Sequence, residues 1–254
     1  MNVKGKLPTS GTLILNNECS VTAVNASDGT FTATLNNGKV EIANGGGTNN
    51  SNKICTLKSG EALAIGSEYE CDPGDGTNRT FFVLENTDAT KVSLIMDRNI
   101  DDTTIPFCDQ SNDSTKTNAV ACQADALQAK IASTTSDWTK VTVTLPAANQ
   151  IAKVTNTNVW DSTTSTSSFC FGSQASNQYK WLYNYTNGCS SYGCDESTSL
   201  TSGANGYWTS SLCSGNSSCA WGARKDGCLI GSSVSRDNNF GVRPVIIISK
   251  SNIS

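Results

Sequence analysis

Short strand-like runs dominate the first third of the chain. Gly11-Thr-Leu-Ile-Leu15, Cys19–Val24, Thr30–Leu35 and Lys39–Ile42 alternate apolar with polar residues or are rich in β-branched ones. Asn16-Asn17, Asp28-Gly29 and Asn36-Asn-Gly38 separate them. Asn-Gly and Asp-Gly tolerate the positive φ of tight hairpins, so this region reads as a small β-rich domain. Gly45-Gly-Gly47 through Asn52 reads as a loop. A boundary is placed near Ser59–Ser67, giving domains of 1–65 and 66–254. Beyond it, Glu68–Asp72, Arg79–Leu84 and Lys91–Met96 read as strands. Pro73-Gly-Asp-Gly76 reads as a turn, and Asn86–Thr90 as the tip of a hairpin.

The period then changes. Ala119–Ala132 predicts one continuous helix, with Cys122, Ala126, Leu127, Ala129 and Ile131 near one face. Val141–Leu145 is extended, and Pro146 opens a second helix over Ala147–Val154, proline being suited to a first turn. Residues 155–206 read mostly as loop. They carry Trp160, Phe169, Phe171, Tyr179, Trp181, Tyr183 and Tyr185, too many large apolar side chains for a disordered linker. Lys180–Tyr185 is expected to be an ordered element. Val242–Ile248 ends the pattern as a β-branched strand whose lack of alternation predicts burial on both faces.

Charge and composition narrow the chemistry. The net charge of −4 over 254 residues, with no basic run, argues against nucleic acid and against an anionic membrane surface. There is no histidine, which removes the commonest general base and the usual nucleophile partners. Eleven cysteines favour an oxidising compartment, and their odd number leaves at least one thiol outside intramolecular pairs. Cys19 is expected to pair with Cys55, and Cys108 with Cys122 across a loop worth about 3 kcal/mol. No C-x2-C pair supports a zinc site. Asp97, Asp101 and Asp102 could hold a cation but read better as a solvated acidic loop. Cys213, Cys219 and Cys228 are the cysteines near cations, yet disulfides outweigh catalysis there. No cofactor and no metal are expected. No run of 18 apolar residues is present, and a leader or membrane anchor is expected to be missing from this sequence.

The stretch 206–244 is unusual. It opens on Tyr207-Trp208 and closes on Phe240-Gly-Val-Arg-Pro244, and small, polar and assorted side chains lie between. From Thr209 to Gly241 it holds no Gln, Glu or Met, and Lys and Trp only as Lys225 and Trp221. Asn codons randomised at their two adenines give nearly this residue set.

Three motifs in order carry a resemblance: Thr144-Leu-Pro-Ala-Ala-Asn-Gln-Ile-Ala152, Gly206-Tyr-Trp-Thr-Ser-Ser211 and Gly241-Val-Arg-Pro244. Over roughly residues 67–249 the chain resembles the variable proteins of diversity-generating retroelements. Their C-type lectin fold is related to formylglycine-generating enzymes. The resemblance implies an exposed face of diversified, ligand-binding positions: Leu212, Cys213, Gly215, Asn216, Ser218, Cys219, Gly222, Ala223, Arg224, Asp226, Cys228, Ile230, Ser232, Ser233, Ser235, Arg236, Asp237, Asn238 and Phe240. Arg224, Arg236 and Phe240 would be its anchors. It implies an invariant frame of Trp208, Ala220, Trp221, Gly227, Leu229, Val234, Gly241, Val242 and Arg243. The enzyme branch's catalytic cysteine pair is not evident, so no activity is carried over.

Lys4–Gly11 followed by Asn36–Ile42 is similar to the globular part of type IV pilin-like proteins without their N-terminal helix. The expectation is therefore an α+β chain. A small β-rich N-terminal domain precedes a C-type lectin-like domain with two helices and a short twisted antiparallel sheet. The expected role is adhesin- or receptor-type binding at the cell surface. Its partner is an unknown protein or glycan on another cell or phage, with pilus subunits as further partners. The rival readings are a phage tail receptor-binding protein and a formylglycine-generating-enzyme-like oxidoreductase.

Overall fold

The computed structural model describes three strands within residues 1–52 and most of residues 53–254; the exceptions are 102, 112–114, 156–168, 172–177, 184–203, 205 and 236–239. The chain divides into two compact units, Met1–Lys53 and Ile54–Ser254.

In the first unit, β1 (Gly11–Leu13), β2 (Phe31–Asn36) and β3 (Lys39–Asn44) form an antiparallel sheet in the order β1-β3-β2. Asn36 lies opposite Lys39, so the β2–β3 connection is the short Asn37-Gly38 pair that the sequence singled out. The strand expected at 19–24 lies outside the described residues.

The second unit begins earlier than expected. β4 (Cys55–Ser59) pairs with β5 (Glu68–Cys71), and the sheet continues through β6 (Arg79–Glu85) and β7 (Lys91–Met96). β13 (Val245–Ser249) lies between β7 and β8 (Thr142–Thr144), completing six antiparallel strands. As a central strand it buries Val245, Ile246 and Ile248, on alternating faces. The edge strand β4 is covered by the end of the chain. Ile54 N–H donates to Asn252 C=O (2.8 Å), Leu57 N–H to Ser254 C=O (2.9 Å), and Ser254 N–H to Cys55 C=O (3.0 Å).

Cys55 faces Cys71 directly across β4–β5, with Cα atoms 4.0 Å apart, and the two form a disulfide. This corrects the expected Cys19–Cys55 pair: the register puts the Cys71 sulfur on the same face of the sheet, next to that of Cys55. Cys108–Cys122 is bonded. Cys170–Cys228 and Cys213–Cys219 complete the disulfides among the described residues.

The long helix expected at 119–132 is broken. α1 (Ala119–Cys122) ends at Gln123 and Ala124, both left-handed (φ 50° and 58°), and α2 (Asp125–Thr134) starts afresh. Asn118 Oδ1 caps α1 by accepting from Val120 and Ala121 N–H. The Asp125 carboxylate accepts from Asp109 N–H at 2.7 Å and from Ala126 N–H at 2.9 Å, and it pairs with Lys116. A continuous helix would offer Asp125 no such site. α3 (Ala148–Val154) starts one residue later than expected, with Ala147 as its cap and Pro146 before it.

The smaller sheet has the order β10-β11-β12-β9, from Gly206–Leu212, Cys219–Arg224, Cys228–Ser233 and Phe169–Cys170. Both its faces are covered. Tyr207, Trp221 and Leu229 pack into a core with Ala148 and Ile151 of α3 and Leu182 of α4 (Lys180–Tyr183). Trp208, Ala220 and Phe240 pack into a second core with Ala119 of α1 and Leu127 and Ile131 of α2.

Candidate ligand-binding surface

The three sequence motifs meet in space. Between Trp208 and Leu212 the β10–β11 register shifts in a bulge that keeps Thr209 buried, its hydroxyl donating to Trp221 C=O at 2.8 Å, and leaves Ser210 exposed. Ser211 Oγ accepts from Ala148 N–H at 2.9 Å, and Ser210 N–H donates to Pro146 C=O at 2.8 Å. Gly206 and Gly241 are joined by a Gly241 N–H to Gly206 C=O bond (3.0 Å), and Trp208 N–H donates to Gly241 C=O (3.1 Å). Arg243, fully buried, lies 4.6 Å from the Tyr207 ring centroid and donates to Trp181 C=O at 3.1 Å; the Tyr207 hydroxyl donates to Leu182 C=O at 2.8 Å. Burial pushes the Tyr207 phenol up to about 12. Burial lowers Arg243 to about 10, which leaves it charged at neutral pH. Every residue assigned to the frame is buried: Trp208, Ala220, Trp221, Gly227, Leu229, Val234, Gly241, Val242 and Arg243.

The positions assigned to the variable face divide into groups. Gly215, Asn216, Ser218 and Asp226 are exposed, while Leu212, Arg224, Ile230, Ser232, Ser233 and Ser235 are half-buried. Cys213, Cys219, Gly222, Ala223, Cys228 and Phe240 are buried, which corrects their placement on an outward face. Cys213 bonds Cys219 and Cys228 bonds Cys170, so none of these three sulfurs is a free thiol. The Phe240 ring packs at a tilt against Trp208, centroids 4.7 Å apart, and lies over Gly222, where an added Cβ would sit 2.9 Å from the ring. Phe240 is thus a core residue and not an anchor for a ligand. Arg236, Asp237 and Asn238 lie outside the described residues.

The outward positions do not make one face. The loop closed by Cys213–Cys219 carries Gly215, Asn216 and Ser218 at one end of β11, and Cys219 lies opposite Ser233 there. Arg224 and Asp226 lie at the other end, roughly 16 Å away at the usual strand rise. They bind each other: Arg224 Nε donates to both Asp226 oxygens, at 2.9 and 3.0 Å. Asp226 raises the Arg224 value and Arg224 lowers that of Asp226.

The Cys213–Cys219 end is the better-built surface. Val234 N–H donates to Ser218 C=O (3.0 Å), and Ala119 N–H to Ser217 C=O (2.6 Å). Two disulfides, Cys213–Cys219 and Cys108–Cys122, hold the segments that meet there. The start of α1 therefore joins the rim, bringing exposed Asn118 and Val120, the latter 60% exposed. Sequence reasoning missed these two because periodicity had put them inside or beside one long helix. It also missed β11 and β12. The signal was present as Asp226-Gly227: Gly227 has φ +79° and its N–H closes the turn on Arg224 C=O at 2.9 Å. Gly215 has open space around it but φ +72°, so Gly, Asn or Asp suit it best.

The chain matches no family model, no curated protein and no solved structure.

No group of acidic, histidine or cysteine side chains among the described residues could hold a metal. Asp97 pairs with buried Arg98, and Asp101 with Lys130, so two members of the acidic cluster already have cationic partners. Asp102 lies outside the described residues. The disulfides fit an oxidising, extracellular environment. No helix among the described residues is long and apolar enough to cross a membrane.

Proposed function

We propose that the chain is an adhesin- or receptor-type binding protein of a cell surface, whose Cys213–Cys219 end is diversified by a retroelement. The supporting observation is the contrast along 206–244. The nine frame residues are buried, while Gly215, Asn216 and Ser218 between them are exposed. Small polar side chains on a braced loop give adaptable hydrogen bonding, as in antibody paratopes. Exposed Val120 adds an apolar contact beside them. The partner is a protein or glycan that this shallow surface can meet by reversible contact.

The test is the surrounding DNA and sibling copies of the gene. A neighbouring reverse transcriptase and a near-repeat differing at adenines are expected. Variation should fall on Asn216, Ser218, Ser232 and Ser235, with Gly215 restricted to Gly, Asn and Asp. Cys213, Gly222 and Phe240 should stay constant. Siblings that vary at Trp208, Trp221 and Arg243 as freely as at Asn216 would overturn the proposal.

A further inference from the structure

Of the disulfides among the described residues, one differs from the rest in access. Cys170 is half-buried. The other seven cysteines in these bonds are buried, none more than 9% exposed. Thiol–disulfide exchange needs a thiolate to reach a sulfur, so access decides which bond opens first. Cys170 also stands at the edge of the small sheet, on β9, which is two residues long and lies beside β12. Beyond that pairing, Phe171 N–H donates to Gly227 C=O at 2.6 Å, and the Phe169 and Trp221 rings meet with centroids 6.0 Å apart. Edge segments with so few backbone bonds open locally, well short of global unfolding.

The same bond has the greatest reach along the chain. It spans a separation of 58 residues, against 16, 14 and 6 for Cys55–Cys71, Cys108–Cys122 and Cys213–Cys219. In the entropic account a longer ring constrains the chain more, so opening it releases more freedom. That ring contains α4, β10 and β11, and with them the Cys213–Cys219 loop. The six-stranded sheet lies outside it, since β4 to β8 precede Cys170 and β13 follows Cys228. Cys213 and Cys219 are both buried, so the bond that braces the candidate surface is shielded where Cys170 is not.

We propose that Cys170–Cys228 is a thiol-exchange site, which an external dithiol opens ahead of the other described disulfides, releasing β9 from β12. One thiolate of the dithiol attacks Cys170 Sγ. The S–S bond breaks, and the Cys228 sulfur leaves as a thiolate and takes a proton from water. The second thiol of the reductant then attacks the mixed disulfide. Cys170 is released as a thiol and the dithiol departs as its cyclic disulfide, two electrons having passed to the protein. This chemistry does not depend on what the candidate surface binds. Dithiothreitol is the probe. The full chain, its free thiols first blocked with iodoacetamide, is reduced briefly under native conditions, trapped with N-ethylmaleimide and mapped by peptide mass spectrometry. Cys170 and Cys228 should be trapped at least about tenfold faster than the six other cysteines of the described disulfides. Cys170→Ser combined with Cys228→Ser gives the open state without reagent. In it the Phe171 amide should lose its protection from hydrogen exchange, while the Leu94 amide in β7 keeps its own. Another described pair opening first or at the same rate, a Phe171 amide still protected, or lost protection at Leu94 would each overturn the assignment.

Discussion

Ser211 Oγ accepts the N–H of Ala148 at 2.9 Å, so a strand residue supplies the cap that the start of α3 lacks. Ala147, the capping residue, has no side-chain oxygen; Gln150 Oε1 returns to its N–H at 2.9 Å and completes only half of a capping box. Ser211→Ala is expected to cost about 1 kcal/mol, and Ala147→Ser to stabilise by about 0.5–1 kcal/mol. Urea denaturation checks both: the midpoint should move in opposite directions with the slope unchanged. If Ser211→Ala is neutral, the bulge in β10 does not brace α3.

Gly222 and Phe240 should behave as one packing unit. Gly222→Ala places a methyl group 2.9 Å from the Phe240 ring, and overpacking of this kind typically costs about 1–3 kcal/mol. In a Phe240→Leu background the same change should cost less, which a double-mutant cycle measures. Ser218→Arg, by contrast, should stay within about 0.5 kcal/mol of the parent. A tolerant Gly222 would return that position to the set of interchangeable residues.

The strands of 68–96 and the final strand were legible because each is long enough to show its pattern and is bounded by turn residues. β11 and β12 were not. Cys219-Ala-Trp-Gly-Ala-Arg224 is buried on both faces, so it shows no alternation, and its small residues read as loop. Only tertiary packing under Trp208, Trp221 and Phe240 makes it a strand. The helix break at Gln123-Ala124 was hidden for another reason: both residues suit a helix interior, and Asp125 acts through Asp109 and Lys116, which are distant in sequence. For the candidate site, the frame was legible through its aromatic and glycine residues. The inward turn of Phe240 and of the cysteines was not, because composition cannot tell a displayed side chain from a core one.

The two left-handed residues offer a direct measurement. Each non-glycine residue in that region costs about 1 kcal/mol or more. Ala124→Gly is therefore expected to stabilise the protein by a few tenths to about 1 kcal/mol, the gain being reduced by the added freedom of the unfolded chain. Thermal unfolding with disulfides intact would register it. A loss comparable to Gly in a regular helix would mean that 119–134 is one helix after all.

Acid should weaken the second unit. Arg79 donates to both oxygens of Asp75 and holds its carboxyl below the ordinary 3.8. Lys140, followed by the Gly74 and Gly76 amides, does the same for Asp72 against a smaller opposing effect of burial. A carboxyl whose folded value is depressed stabilises fully above its unfolded value, and that contribution is lost as pH falls through the folded one. The denaturation midpoint should thus be flat from pH 6 to about 5 and fall below about 4. Asp75→Asn should flatten part of the fall. A midpoint unchanged at pH 3 would show that these pairs contribute nothing to the folded state.

The final residues run beside β4, with Ser254 N–H donating to Cys55 C=O at 3.0 Å. Entry and exit of the 54–254 unit are therefore neighbours. A module of this form can be spliced into a loop of an unrelated carrier, or have its ends joined and be reopened elsewhere, without prising its host apart.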